Sequence, residues 1–415
     1  MFAGFPMMKR FGVAAALILA LAACQDDGFQ RSSRHLSPIP PSTLALMANK
    51  GMSKNDPIVI RSYKKESELE LWKRGSDGRF ALLKTYPICR WSGQLGPKVR
   101  EGDRQAPEGF YAITPAQMNP NSSYYLSFDT GYPNAFDRAH GRTGSHLMVH
   151  GSCSSRGCFA MTDEVIAEVY AVAREAFAGG QRTFQFQSYP FRMTPKNIAQ
   201  HRLDQNMPFW KNLKEGSDYF ETVGLEPKIA VCGRRYVFGG ADVAQGNCSP
   251  EFEPAVAAKQ TRDEQQVAEL VAKGIEPIKL VYEDGGQHQS FRQTLAQTDD
   301  MLVVDSRMKN RLGDVSRPEA LAAGPQEIVL DANGRPKEQP TAALAYAAPP
   351  PAALPVPQTP RATSARMAST ATPPAPDHRV AAVAPTSSGS DKPFYERMLS
   401  NISTLWTSSS PATRN

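Results

Sequence analysis

Residues 148–164 read MVHGSCSSRGCFAMTDE. His150 ends an apolar run, Gly151 allows a sharp turn, and Cys153 and Cys158 follow five residues apart. Two kinds of chemistry use such residues. Zinc takes histidine and cysteine, and His140, His146, His150, Cys153 and Cys158 are the right types. The spacing argues against a metal, because there is neither a C-x2-C pair nor an HExxH helix. The other use is a thiol nucleophile with its base. A cysteine attacks as thiolate, so it needs a base or a positive field close by. His150 offers a base at a strand end, SSRG brings the chain back, and Cys158 stands just before a helix. Backbone N–H groups of Gly157 and Cys158 would then point outward as an oxyanion hole. A structural role for both cysteines, bonded to each other or to Cys89, stays open on this chemistry alone.

The elements that must position these residues follow from periodicity. PIVIRSYKKESELELWKR and RFALLKTYPICRWSG read as strands of a half-exposed sheet, with RGSDGRF as the turn between them. PEGFYAIT, SHLMVHGS and TFQFQSYPFRM are further strands, and KIAVCGRRYVFG is a late hairpin. TDEVIAEVYAVAREAFAGG has Thr162 or Asp163 as N-cap, acidic residues in its first turn and Gly179-Gly180 as its stop, so it is a helix. NIAQHR and MPFWKNLKEGSDYFE read as short helices, and DEQQVAELVAKG as another. The run from Pro115 to Gly144 is rich in Asn, Pro, Gly and Tyr. Loops of that length in a compact domain are usually functional.

The chain has 415 residues, 41% hydrophobic, with a net charge of +6. That charge is too mild for nucleic-acid binding, and no basic stripe with interleaved aromatics occurs. Residues 1–24 read as an export signal. Lys9 and Arg10 precede the apolar FGVAAALILALAA, which is too short for a comfortable membrane span. The run ends in Leu21-Ala22-Ala23-Cys24, similar to a bacterial lipobox that would leave Cys24 lipidated; plain cleavage beside Cys24 is the other reading. Either way the expectation is a periplasmic protein, held to the inner or outer membrane by a lipid anchor if Cys24 is modified. Export brings an oxidising compartment, where cysteines pair. Setting Cys24 aside leaves Cys89, Cys153, Cys158, Cys232 and Cys248, an odd number, so at least one thiol is free.

Residues 25–55 read as a polar tether, 56–250 as the catalytic domain and 251–335 as a helical extension. Residues 336–390, Ala/Pro-rich as in AAPPPAALPVPQTP, read as a disordered linker, and 391–415 as a short C-terminal segment. The fold class expected is α+β, mainly β.

The central motif resembles the signature of YkuD-type L,D-transpeptidases, in which a strand-end His-Gly is followed by Ser-x-Gly-Cys. Here these are His150-Gly151 and Ser155-Arg156-Gly157-Cys158. APEGFYAIT, MNPNSSYYLSF, GYPNAFDRAHGRTG and YPFRMT extend the likeness to the YafK-like branch of that family, from about Ile58 to Tyr236. Arg156 departs from the pattern, since many members carry a second His there, and the His-to-Cys loop is short. The resemblance implies a YkuD-like β-sandwich with flanking helices, and peptidoglycan stem peptides as partners. It implies Cys158 as nucleophile, His150 as general base, the Gly151 carbonyl orienting the imidazole, and no metal or organic cofactor. The reaction implied runs through a thioester and transfer to an amine, either a crosslink or a lysine of a wall-linked protein. Water in place of the amine would give a carboxypeptidase or a releasing hydrolase. A peptidoglycan-binding lipoprotein with a dormant site is the rival outside catalysis.

Around that core, Ser155 and Arg156 are expected in the substrate loop, with Arg156 where the acceptor is chosen. Arg138 and Arg142 are candidates for substrate carboxylates, against loop ion pairs with Asp129 or Asp137. Tyr132 and Asn134 are candidates for the groove wall. His146 alternates with Met148 and His150, and a structural role is favoured for it. Cys232 and Cys248 bracket a Gly-containing loop and are expected to pair. Cys89 and Cys153 could pair, which would leave Cys158 as the free thiol.

Overall fold

The computed structural model describes residues 33–239, 248, 253–292 and 317–337. Strand β1 (Ile58–Tyr63) sets the layering. Ile58 and Ile60 point into one apolar cluster, while Val59, Arg61 and Tyr63 point the opposite way, the two-residue period of a strand covered on both faces. β1 lies at the centre of a sheet ordered β3-β2-β1-β10-β5, with β2 (Glu68–Arg74), β3 (Phe80–Pro87), β5 (Gly109–Ile113) and β10 (Phe184–Tyr189). β1 and β10 run parallel; the other pairs are antiparallel. The segment expected as one strand over 57–74 is therefore two. The chain reverses at Lys64–Ser67, where Ser67 adopts φ +53°.

A second sheet is ordered β4-β9-β8-β7-β6, made of β4 (Arg90–Trp91), β6 (Met118–Asn119), β7 (Ser127–Asp129), β8 (Met148–His150) and β9 (Phe159–Ala160). The two sheets face each other through aromatic edges. Phe128 meets Phe184 at 5.7 Å and Phe186 at 6.1 Å, and Phe159 meets Phe186 at 5.6 Å, all near perpendicular. This is the mainly β, α+β sandwich expected. Helix α3 (Asp163–Ala178) closes the same core with Ile166, Val169, Val172 and Ala176, each fully buried and worth about 1.5–3 kcal/mol for the larger aliphatics. The Thr162 hydroxyl accepts the Val165 N–H as N-cap.

On the other face of the central sheet lie α4 (Pro195–Gln200), α5 (Met207–Val223) and the hairpin β11 (Lys228–Cys232)–β12 (Arg235–Gly239), around Phe110, Tyr189, Trp210 and Tyr236. Arg61, 2% exposed, is accommodated there among the rings of Tyr63, Trp72, Tyr189 and Phe220, with the Ser217 hydroxyl accepting an N–H at 2.8 Å. Residues 251–335 are expected to form a helical extension, and of these 253–292 and 317–335 are described. They hold α6 (Pro254–Ala272), which packs on α4 and α5, a short α7 (Pro318–Ala323), and also a two-stranded sheet of β13 (Ile278–Val281) and β14 (Gln326–Val329).

The tether expected over 25–55 is corrected for residues 33–55. Helix α1 (Pro41–Asn49) and its flanks bury Ile39, Met47 and Met52 in the main core, and Thr43 donates to Glu168. A polar composition hid three well-spaced apolar anchors. The signal segment 1–24 with Cys24, the linker 336–390 apart from its first two residues, and the segment 391–415 lie outside the described residues. Among the described residues no helix is long and apolar enough to cross a membrane.

A fully buried ion pair fixes the long loop between β4 and β5. Lys64 Nζ meets Glu108 Oε1 at 2.8 Å and also donates to the carbonyls of Gly96 and Ala106. Glu108 accepts from the Gly96 N–H and the Trp210 indole. Removing one charge leaves the other desolvated and alone. Glu108→Gln is therefore expected to lower unfolding stability by about 3–5 kcal/mol in denaturant titration. Glu215→Gln, at the exposed Arg235 pair, should cost about 1 kcal/mol or less. Equal losses at the two positions would contradict this assignment.

Candidate active site

β8 and β9 pair in parallel, with Val149 opposite Phe159 and His150 opposite Ala160. Val149 and Phe159 are fully buried in the intersheet core. Met148 and His150 therefore occupy the opposite face, and Cys158 comes to lie beside Met148. The Met148 N–H donates to Cys158 Sγ at 3.4 Å. Cys158 is the free thiol among the described residues.

The eight residues from Gly151 to Cys158 are wound tightly. His150 Nδ1 lies 2.5 Å from the Gly151 carbonyl. A carbonyl accepts, so Nδ1 carries the proton and Nε2 is left with its lone pair. Gly151 donates its N–H to the Tyr124 and Leu126 carbonyls. A Cβ there would sit 2.7 Å from Asp163 Oδ1 and 2.9 Å from the Tyr124 carbonyl, so only glycine fits. Ser152 and Cys153 both take left-handed φ, +67° and +45°. The Ser152 N–H is held by Asp163 Oδ1 at 2.9 Å, and Cys153 is bonded to Cys89. A second disulfide joins Cys232 to Cys248.

Ser155 is the hub of the turn. It is 2% exposed, and its Oγ accepts the Cys158 N–H at 3.0 Å and the Gly157 N–H at 3.4 Å. Its hydroxyl proton goes to the Cys158 carbonyl at 2.8 Å, and the Ser92 hydroxyl lies 3.0 Å away. This corrects two expectations. Ser155 is consumed in shaping the loop rather than left for substrate. The Gly157 and Cys158 N–H groups turn inward to Ser155 rather than outward as an oxyanion hole, because a hydroxyl inside so tight a loop is the nearest acceptor. Gly157 matters through its backbone, which needs φ +124°.

Burial dominates the electrostatics. His150 is 2% exposed, and desolvation lowers its pKa to about 4 against the opposing effect of the Gly151 bond. The Cys158 thiol is pushed up to about 11, chiefly by burial. The Met148 N–H opposes that shift, and the charge of Asp129 adds to it. Near neutral pH both groups are uncharged, a neutral thiol and a neutral imidazole. The Tyr124 ring lies over His150 at 4.7 Å between centroids.

The remaining expected residues divide. Tyr132 lines an open groove beside Met148, as do Arg138 and His146. The buried Tyr132 ring sends its hydroxyl to the Lys98 and Thr143 carbonyls. Arg156 is exposed at the tip of the loop. Arg142 is not directed at a ligand: it pairs with buried Asp137 at 2.7 Å and stacks on Phe136 and Phe209. Asn134 caps α2 (Ala135–Ala139), accepting the Asp137 N–H, and donates to the Phe110 carbonyl and the Tyr236 hydroxyl. Short polar residues before a helix are caps more often than ligands, and that is what occurs here. His146 precedes β8 instead of belonging to it, 81% exposed, with Nδ1 3.6 Å from Asp129. His140 lies at the end of α2 against the Phe136 carbonyl. Sequence reasoning missed Ser92, Tyr124 and Asp129 as neighbours of the site, because only the fold brings them there. Asp163 was visible as a helix-start acid, but its hold on the Ser152 N–H was not.

The family model described as the YkuD L,D-transpeptidase catalytic domain matches residues 57–178. The chain is 44% identical over 181 residues to the protein named "Putative L,D-transpeptidase YafK" in Escherichia coli K12, covering 44% of this chain and 73% of that protein. The match to the counterpart in Escherichia coli O157:H7 has the same values. Among solved structures, the helical cell shape determining protein Pgp2 of Campylobacter jejuni aligns at 15% identity over 60% of this chain and 81% of that one, with a TM-score of 0.27. Bd1075 of Bdellovibrio bacteriovorus aligns at 17% identity over 54% and 74%, with a TM-score of 0.24.

The charge states lead to a direct test. Iodoacetamide labelling of Cys158 in the free protein, followed by intact mass, is expected to rise about tenfold per pH unit from pH 7 and to level near pH 11, because the thiolate reacts. A plateau already reached by pH 7 would mean a preformed thiolate.

Proposed function

The chain belongs to the YkuD L,D-transpeptidase family, and from that premise we propose that it acts on peptidoglycan stem peptides through a thioester on Cys158. One observation carries the proposal: the Gly151 carbonyl holds the Nδ1 proton of His150, which leaves Nε2 as the base on the sheet face that holds the free thiol.

The steps follow from that arrangement. The Cys158 sulfur adds to the carbonyl of the L-centre of diaminopimelate in a stem tetrapeptide, and His150 Nε2 takes the thiol proton. The tetrahedral adduct collapses. D-alanine leaves through its amine, which receives the proton from His150, and a thioester remains. An amine acceptor then gives its proton to His150 and displaces the sulfur, which recovers a proton as thiol. Because thiol and imidazole are both neutral at rest, proton transfer accompanies the attack and does not precede it. The residual charge on the imidazolium is short-lived, and the Gly151 carbonyl is the dipole placed to stabilise it.

Location belongs to the same proposal. Residues 1–24 direct export and Cys24 carries a lipid, so the catalytic domain works against the wall from a membrane anchor. The disulfides Cys89–Cys153 and Cys232–Cys248 suit an oxidising compartment. Wall-linked envelope proteins become partners when a protein lysine serves as acceptor.

Incubation of the protein with diaminopimelate-containing disaccharide tetrapeptides, with and without an amine acceptor, should yield crosslinked or exchanged products by mass spectrometry. Cys158→Ala should abolish them. Tripeptide alone would assign the same site to hydrolysis. No turnover on any wall substrate would favour a binding role and overturn the catalytic reading. The acid limb of kcat/KM is expected as pH falls through about 4, where His150 takes up a proton and ceases to be a base. The rate should drop about tenfold per pH unit below it. An acid limb near pH 6–7 would contradict the buried neutral imidazole.

A further inference from the structure

A groove of about 650 Å3 opens beside the His150–Cys158 face, walled by Met118, Asp129, Tyr132, Arg138, His146 and Met148. It adjoins the thiol through its own wall, since Met148 donates its N–H to Cys158 Sγ and Asp129 stands opposite Met148 in the β7–β8 register. Charges of opposite sign face this space. Asp129 Oδ1 is taken by the Gly131 N–H at 2.8 Å. Its Oδ2 meets His146 Nδ1 at 3.6 Å, beyond hydrogen-bond length, and that histidine is largely in solvent. Exposed Arg138 gives one N–H to the Pro133 carbonyl and has a fork of donors beyond it. Among the described residues it has no carboxylate partner. An anion alone would be repelled by Asp129, a cation alone by Arg138, and an apolar ligand would strand both.

We propose that this groove binds an α-amino-acid head group, an ammonium and a carboxylate on one carbon, with Asp129 taking the ammonium and Arg138 the carboxylate. The inference rests on the peptidoglycan reading above and names the part of the wall peptide that is gripped. Two parts of the reaction carry this chemistry. One is the D-centre at the far end of the donor's diaminopimelate; the other is an incoming D-amino acid acceptor, whose ammonium hands one proton to Asp129 before its amine attacks. Selection follows in either case: a lysine side chain offers the ammonium without the carboxylate, and an amidated diaminopimelate offers no charge for Arg138. Occupancy also bears on the chemistry. An ammonium at Asp129 neutralises the charge that opposes ionisation of Cys158, so binding of the head group favours the nucleophile.

The test compares the full-length protein with Asp129→Asn, which keeps side-chain size, and Arg138→Gln, which keeps a polar side chain and removes the charge. Three donors are used: tetrapeptides containing diaminopimelate, D-centre-amidated diaminopimelate, or lysine. Deuterated D-alanine serves as the exchange acceptor. If the groove holds the donor, each variant raises KM for the diaminopimelate peptide about tenfold or more, the scale of a charged hydrogen bond, and Arg138→Gln erases discrimination against the amidated peptide. If it holds the acceptor, KM for deuterated D-alanine rises by that factor and the donor KM stays. Either result supports the inference. Variants that lower kcat alike on every donor with both KM values unchanged would overturn it while leaving the function standing. A wild-type protein inactive on all three donors would overturn the function and this inference with it.

Discussion

The parallel pairing of β8 with β9 is the constraint from which the site follows. Parallel neighbours ordinarily need a crossover of a dozen or more residues, often a helix. Here eight residues, Gly151 to Cys158, make the connection. So short a path leaves no room for regular structure. The chain coils instead through left-handed Ser152 and Cys153 and the positive φ of Gly157, and it closes the Gly157 and Cys158 N–H groups on one internal hydroxyl, that of Ser155. The same register that forces the coil puts Val149 and Phe159 into the core. His150 and Cys158 are thereby left together on the other face. An imidazole and a thiol share one face because two strands are parallel and the link between them is short.

Such a loop holds its shape only if it is braced. The Cys89–Cys153 bond ties it to the segment leading into β4, and Asp163 ties it to the start of α3. A third brace comes from farther away. The segment from Ser92 to Ala106 is suspended on the buried Lys64–Glu108 pair through Gly96 and Ala106, and Ser92 at its start reaches Ser155. A desolvated ion pair in the core thus contributes to the position of the largely buried thiol of Cys158. The cost of burying two charges is offset by four further hydrogen bonds to the pair, the condition under which such pairs persist.

The sequence was legible where local chemistry decides the outcome. His150-Gly151 before a short return to Gly157-Cys158 announced a tight turn between an imidazole and a thiol, and Thr162 with Gly179 bounded α3. The odd cysteine count announced a free thiol. It was illegible where a distant partner decides. Arg142 and Asn134 are intermediate cases: their partner Asp137 is close in sequence and its ion pair was one reading open for Arg142, and the fold decides for the ion pair and the helix cap. The inward turn of the Gly157 and Cys158 N–H groups depends on a rotamer of Ser155. The reversal at Lys64–Ser67 was hidden because Arg61, Lys64 and Glu70 look exposed in a sequence yet are buried here by stacking and pairing. Residues 33–55 looked like a tether because three buried side chains are too few to set a period.

The most direct test of a thioester at Cys158 is intact-protein mass spectrometry during turnover of a stem tetrapeptide, quenched in acid. The account predicts an adduct equal in mass to the tripeptide acyl group, with D-alanine lost, that maps to the peptide bearing Cys158 and is cleaved by hydroxylamine. Product formation with no adduct at Cys158, or an adduct that persists in Cys158→Ala, would contradict it.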